Sequence, residues 1–233
     1  MSSQSTIEAA LDTSAGAALA VKRNGALVLA ANMPVSGRES DAKLARWISE
    51  QFHSAGLTPA ECGQWTVGTG PGSFSGLRVG ISLVMGICAA SGAGMRGISS
   101  DLALARQAAG GAASATVGVL HDARQGQLIL GVYRLADGRW SMLQEPAVLE
   151  ASLVAEAVAA AGIITWLASP RLTAVLPDNL RTQTAPQEML DASLLLDVPG
   201  WPPPGGAAER EASCQPVYVR PAVFVPPREL RQA

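Results

Sequence analysis

The residues with most chemical potential in this chain form a glycine-rich run, Gly68-Thr69-Gly70-Pro71-Gly72-Ser73-Phe74-Ser75-Gly76, between a strand pattern and a helix pattern. Glycines let backbone N–H groups face a common point, and a helix N-terminus adds partial positive charge, so a phosphate or carboxylate would fit. A second reading fits equally: a tight turn that lets the following helix pack closely. The run is not a Walker A loop, because no Lys follows in Gly-Lys-Ser/Thr spacing. Nor is it a nucleophile elbow, because Phe74 stands where a GxSxG starting at Gly72 needs Ser. Gly92-Ala93-Gly94-Met95-Arg96-Gly97 spells GxGxxG but follows a helix and precedes a strand, the reverse of the dinucleotide-binding order.

Asp12 and Asp122 are the carboxylates singled out by position. Each ends an apolar strand in a polar turn and stands four residues before a glycine, Gly16 or Gly126. Facing each other across a cleft, they could hold Mg²⁺ through water beside nucleotide phosphates; each could equally cap its own turn. Arg124 offers charge to an anion or pairs with a carboxylate. Of the two histidines, His53 has no partner at i+4, so HxxxH and HExxH metal sites are absent. A Ser-His-Asp triad would have to draw on His121, and both histidines read more simply as surface or structural. Cys62, Cys88 and Cys214 stand far apart in the sequence without CxxC spacing, which argues against a disulfide framework or zinc site and for a reducing compartment.

These residues need a frame. Ile7–Leu11 reads as a strand ending at Asp12-Thr13-Ser14. Gly16–Val21 and Ala26–Ala31 flank Asn24-Gly25, a type I′ hairpin pair. Leu44, Ile48, Phe52 and Ala55 predict a helix over Asp41–Ala55, stopped by Gly56. Trp65–Gly68 is a strand, Gly76–Ser91 an apolar helix, Met95–Ile98 a strand, and Asp101–Ala108 a helix capped by Ser99 or Ser100. After Gly110-Gly111 the order begins again: strand Thr116–Leu120, polar turn His121–Arg124, strand Gln127–Tyr133, turn Asp137-Gly138, strand Trp140–Leu143, helix Leu149–Ala161, strand Ile163–Ala168.

The repetition predicts an α/β protein built from duplicated RNase H-like βββαβα units, an actin-like (ASKHA) architecture with two lobes. The lobes are expected at 1–112 and 113–233, the second partly degenerate and interrupted by the Pro-rich loop 199–206. Pro216–Arg220 closes the pattern as an extended segment.

Composition narrows the function. Lys plus Arg number 17 against 19 Asp plus Glu in 233 residues, which excludes a strongly basic nucleic-acid binder acting alone. The N-terminus lacks the basic and apolar regions of a signal peptide. The longest uncharged stretch, Val79–Met95, is interrupted by glycines and serines and is expected to be a buried helix and its exit rather than a membrane span.

Five segments carry a resemblance: Ala10–Ser14, Gly68–Gly80, Ser99-Ser100, Asp122–Gly126 and Pro216–Arg220 are similar to the TsaB (YeaZ) family. The block GPGSF-[ST]-GLR-[IV]-G is its specific part. The likeness runs through most of residues 6–150 and is weak between Gly162 and Ser213. The resemblance implies the duplicated actin-like fold and a cytoplasmic, non-catalytic subunit of the bacterial machinery that attaches a threonylcarbamoyl group to the adenosine beside the anticodon of ANN-decoding tRNAs. It implies a homodimer alone and a heterodimer with the TsaD paralogue, which carries the transferase centre and the metal-holding histidines; TsaE, a small ATPase, joins them. No catalytic or metal residue and no tightly bound cofactor is then expected here. ATP or ADP with Mg²⁺ would enter only in the complex, tRNA would be met only through it, and no membrane is involved.

Under this reading the candidate anion-loop residues are Asp12, Thr13, Ser14, Gly70, Gly72, Ser73, Ser75, Gly76, Asp122 and Arg124. Small residues at Gly76, Gly80, Gly86, Ala89 and Ala90 would let another helix approach; the alternative is a helix buried in its own domain. The resemblance implies that dimers pack through this helix and the one before it, so the candidate interface residues are Leu44, Ile48, Gly76, Arg78, Gly80, Leu83 and Ile87. The chain departs from the family at Glu39-Ser40-Asp41, where many members have His-Ser-Glu, and at Ser75, where Thr is usual. Ser2–Thr6 and Pro199–Pro204 are further departures. Two other function classes stay open: an actin-like small-molecule kinase or ATPase using Asp12 and the glycine loop, and a glycoprotease-like peptidase, which the missing HxxxH disfavours.

Overall fold

The computed structural model describes residues 6–33, 38–124, 127–150 and 189–198, with shorter pieces at 152–154, 156–157, 165–168, 172, 176, 184–186 and 212–219. The Pro-rich loop 199–206, Gly126 and Arg220 lie outside the described residues, as do the side chains of Arg124 and of residues 38–41. The first sheet comprises β1 (Ile7–Asp12), β2 (Ala18–Arg23), β3 (Ala26–Asn32), β4 (Gln64–Gly68) and β5 (Gly94–Ile98). The second comprises β6 (Ala115–Arg124), β7 (Gln127–Ala136), β8 (Arg139–Glu150), β9 (Thr165–Ala168) and β10 (Thr184–Pro186). Their orders, β3-β2-β1-β4-β5 and β8-β7-β6-β9-β10, match strand for strand. In each, the first three strands run antiparallel and the last two join the first in parallel. This is the expected duplicated α/β layout.

Local chemistry explains the first sheet. β1 is buried along its length except at Glu8, as a central strand covered on both faces must be. The β2–β3 turn places Asn24 and Gly25 at φ 53° and 80°, both in the left-handed region that a type I′ turn requires. Helix α1 (Arg38–Ser54) buries Leu44, Ile48 and Phe52, four residues apart, and Phe52 stacks on Trp65 of β4 with ring centroids 5.6 Å apart. Helix α2 (Phe74–Ser91) covers the same face, completing a core with Leu11, Leu19 and Val67.

Helix α3 (Ser100–Ala109) lies on the opposite face. There the first sheet offers Ala10, Ala18 and Ala20, and these small side chains admit Leu102 and Leu104 together with Val117, Val119 and Tyr133 from the second sheet. The short helix Ser193–Leu196 buries Leu195 and Leu196 in the same core, and Lys22 of β2 pairs with Asp197.

Two segments differ from expectation. His121–Arg124 is not a turn: β6 continues through it, paired with β7, with a register shift between Asp122 and Arg124. Leu149 and Glu150 belong to β8, opposite Leu128 and Gln127, and the helix is described only at 152–154 and 156–157. Cross-strand pairing along a twelve-residue strand outweighs the helix propensity of the alanine-rich window at its start. Pro216–Val219 joins no sheet; Val217 N–H donates to the Thr69 carbonyl at 2.8 Å.

Candidate functional site

The polar turn after β1 and the glycine block are built against each other. Asp12 is 2% exposed; one carboxylate oxygen accepts from the Ser14 N–H (2.9 Å) and Ser14 Oγ (2.6 Å), the other from Ser100 Oγ. Burial raises its pKa above the usual carboxylate value, against the three hydrogen bonds and with Asp101 nearby. Around this turn run Gly68, Gly72, Gly76 and Gly80, each four residues from the next. A Cβ at Gly68 would lie 1.8 Å from Asp12 Oδ2, at Gly72 2.4 Å from the Ser14 carbonyl oxygen, at Gly76 2.5 Å from the Thr13 carbonyl oxygen, and at Gly80 2.4 Å from Thr13 Oγ1. The four glycines line a channel that Asp12-Thr13-Ser14 fills.

Four of the block's amides are engaged within the chain. Ser73 N–H donates to the Ser14 carbonyl at 2.7 Å, Gly70 N–H to Ser100 Oγ at 2.9 Å, and Gly76 N–H to Ser73 Oγ at 3.2 Å. Thr69 N–H reaches the Ile98 carbonyl at 2.9 Å. The amides of Gly72, Phe74 and Ser75, exposed at the start of α2, have no such partner among the described residues. The block seats the chain's own polar turn and starts α2.

A second polar cluster adjoins the first. Ser99 Oγ lies 3.2 Å from the Gly70 carbonyl and 3.1 Å from the Tyr133 hydroxyl. Asp101, fully buried in the first turn of α3, meets His121 Nε2 of β6 at 2.5 Å through Oδ1. Its Oδ2 has no hydrogen-bond partner among the described residues, and a Cβ at Gly131 would stand 3.0 Å from it. Burial alone would lower the His121 pKa, but the charge and hydrogen bond of Asp101, with Asp12 beyond, outweigh it and hold it above the usual imidazole value. Burial pushes the Tyr133 phenol up, and Asp101 adds to that. Asp12, Ser100, Asp101 and His121 thus tie the end of β1 to α3 and to the second sheet.

Of the sequence-derived candidates, Asp12, Thr13, Ser14, Gly70, Gly72, Ser73 and Gly76 come together. Ser75 is exposed in the first turn of α2 and Asp122 is exposed on β6. Leu44 and Ile48 are buried in the first core, and Gly76 and Gly80 face Thr13, so these four point toward the first sheet. Leu83 and Ile87 are half-buried against that core, while Arg78 is exposed. Sequence reasoning missed Asp101 and Tyr133. Of the two readings left open for Gly76-x-x-x-Gly80, close packing within the chain is what Gly76 and Gly80 make against Thr13, and the four-residue glycine spacing from Gly68 onward was there to read. The three cysteines, distant in sequence, meet in the first core as free thiols. Burial pushes Cys62 up to about 12 and Cys88 up to about 11.

Helix α2 is long and apolar enough to cross a membrane by length and composition alone. Six of its eighteen residues are buried on the sheet, fewer than a buried helix would show. The rest leave an open apolar face, with Phe74 43% and Met85 42% exposed and Ser82, Gly86, Ala89 and Ala90 between and beyond them.

Residues 34–175 match the family model described as TsaD, tRNA N6-adenosine threonylcarbamoyltransferase. The chain is 27% identical over 127 residues to the tRNA threonylcarbamoyladenosine biosynthesis protein TsaB of Escherichia coli K12, a match covering 54% of this chain and 55% of that protein. It therefore spans about half the length of that curated relative. YeaZ from Pseudomonas aeruginosa superposes with a TM-score of 0.70 at 23% identity, covering 91% of this chain and 99% of that one. A second structure, of an uncharacterized protein with similarity to peptidase YEAZ from Pseudomonas aeruginosa, gives 0.70 at 24% identity, covering 92% of this chain and 100% of that one. These two likenesses establish the fold, and with the family model matched over more than half of its length the chain belongs to the family described as TsaD, tRNA N6-adenosine threonylcarbamoyltransferase.

Proposed function

We propose that this chain is a non-catalytic scaffold subunit of tRNA threonylcarbamoyladenosine formation, acting in the cytoplasm by docking a TsaD-type transferase subunit through the open face of α2. In this reading the chain divides near Ala112 into two lobes. TsaE-type ATPase joins the assembly, ATP or ADP with Mg²⁺ binds only there, tRNA is met only through the complex, and the chain pairs with itself when alone.

The observation that carries the reading is α2 itself: an apolar helix seated by the Gly68–Gly80 channel, with Phe74, Met85, Ala89 and Ala90 turned to solvent. Exposed apolar side chains grouped along one face of a helix mark an interaction site. The glycine block supports a structural role, because it seats the chain's own Ser14 and Ser100 against the start of α2.

The test is reconstituted threonylcarbamoylation of a tRNA, with threonylcarbamoyl-adenylate as the donor and the transferase subunit and the ATPase supplied. This chain should be required for full modification and should modify no tRNA by itself. Undiminished modification in its absence, or transfer by this chain alone, contradicts the reading.

A further inference from the structure

Helix α2 carries a single charged side chain, Arg78, among its eighteen residues. That side chain is held in place. Its guanidinium carbon lies 3.8 Å from the Phe74 ring centroid, Nε donates to the Tyr218 hydroxyl at 2.7 Å, and the Phe74 and Tyr218 rings stand 4.8 Å apart. Tyr218 is anchored by its own segment: Val217 N–H bonds the Thr69 carbonyl, and Ser213 Oγ accepts from Gly97 N–H at 2.9 Å. Gly97 is needed for that docking, since a Cβ there would meet the Ser213 carbonyl oxygen at 2.1 Å. Among the described residues no carboxylate pairs with Arg78, and only its Nε has a hydrogen-bond partner.

A guanidinium stacked on one ring and bonded to another has little rotamer freedom left to lose on binding. Its two Nη groups still present the fork that matches a carboxylate. Arginine beside exposed aromatic side chains is also the composition of an interface hot spot.

We propose that Arg78 is the specificity-determining residue of the α2 face and selects a partner chain presenting a carboxylate over a second copy of this chain. The proposal rests on α2 being the docking face. Packing α2 against α2 in a symmetric pair brings two guanidinium-bearing faces together with no acid on either copy of α2, and Glu50 of the neighbouring α1 is already bonded to Arg46 at 2.7 Å, whereas an acidic partner gains a stacked, bidentate ion pair. The discrimination works as much by the missing counter-charge in the self-pair as by the attraction in the mixed one.

Self-association by sedimentation equilibrium and affinity for the transferase subunit of the same organism by calorimetry test this, using wild type, Arg78→Lys, Arg78→Glu and Tyr218→Phe. Wild type should bind the transferase subunit more tightly than itself. The mixed complex should weaken about tenfold with Arg78→Lys and about a hundredfold with Arg78→Glu, and by a smaller factor with Tyr218→Phe. Self-association should stay within about threefold throughout. Equal losses in both assemblies, or Arg78→Lys and Arg78→Glu binding the transferase subunit like wild type, overturn the proposal while leaving the docking face in place. A wild-type chain that does not bind the subunit at all overturns both.

Discussion

Ser14 and Gly72 approach so closely that a Cβ on Gly72 would lie 2.4 Å from the Ser14 carbonyl oxygen and 2.7 Å from its Cα. The contact is backbone against backbone, so no side chain can swing aside to relieve it. It fixes the polar turn after β1 to the start of α2, and through Gly76 and Gly80 it sets the depth at which α2 sits. A helix seated that deeply on one side leaves Phe74 and Met85 on its opposite side exposed.

Substitution in the channel should therefore cost stability. Gly72→Val and Gly80→Val are expected to lose at least the ~1–3 kcal/mol typical of overpacking. Gly86→Ala, at a position with no heavy atom within 4 Å of the added Cβ, should be neutral or slightly stabilising. Urea midpoints compare them directly, and equal stabilities would mean that the channel is not tightly packed.

The Asp101–His121 pair gives a pH dependence with a defined sign. His121 is held above the usual imidazole value, so the folded state binds its proton more readily than the unfolded chain. That contribution is complete below the unfolded value of about 6.5 and is lost as pH rises through the folded value. Asp12, raised by burial, acts in the same direction at lower pH, its contribution falling away as pH rises through the carboxylate range. The wild-type denaturation midpoint should fall on going from pH 6 to pH 9, and His121→Gln should flatten that fall. A midpoint that rises across this interval contradicts the assignment.

Removing one member of the buried pair should be worse than removing both charges. His121→Leu leaves Asp101 buried without its cation, a loss on the order of 3–5 kcal/mol. Adding Asp101→Asn to His121→Leu should restore part of it. A double-mutant cycle measures the coupling, and strictly additive losses would show that the two residues act independently.

The cysteines should be inert in the folded protein. With Cys62 pushed up to about 12 and Cys88 up to about 11, the thiolate fraction at pH 8 is small, and all three sulfurs are buried. Ellman's reagent should titrate three thiols in denaturant and close to none in the native chain. Rapid native reaction would place at least one sulfur at the surface.

The first half of the fold was legible because its signals are local. Asn24-Gly25 specifies a turn through backbone geometry alone, and Leu44, Ile48 and Phe52 repeat at the helical period. The duplication was legible from order, since the second half reuses the strand sequence of the first. His121–Arg124 misled because polar residues at a strand end resemble a turn when the partner strand is out of view. Leu149 misled because helix propensity is local while its pairing with Leu128 is not. The site divided along the same line. Asp12, Ser14 and the glycines were found from the sequence, but what the glycines touch was not, because Thr13 lies more than sixty residues from Gly76 and Gly80 in the chain. Asp101 looked like an ordinary first-turn acid until β6 brought His121 to it.

Size-exclusion chromatography with light scattering tests the central claim most directly, run on this chain alone, with the TsaD-type subunit of the same organism, and with Met85→Glu in place of wild type. Wild type should form a one-to-one mixed complex, and Met85→Glu should lose it, because its charge falls in the middle of the open face while the fold is kept. A wild-type chain whose mass is unchanged by the transferase subunit, or a Met85→Glu chain that still forms the complex, would contradict that claim.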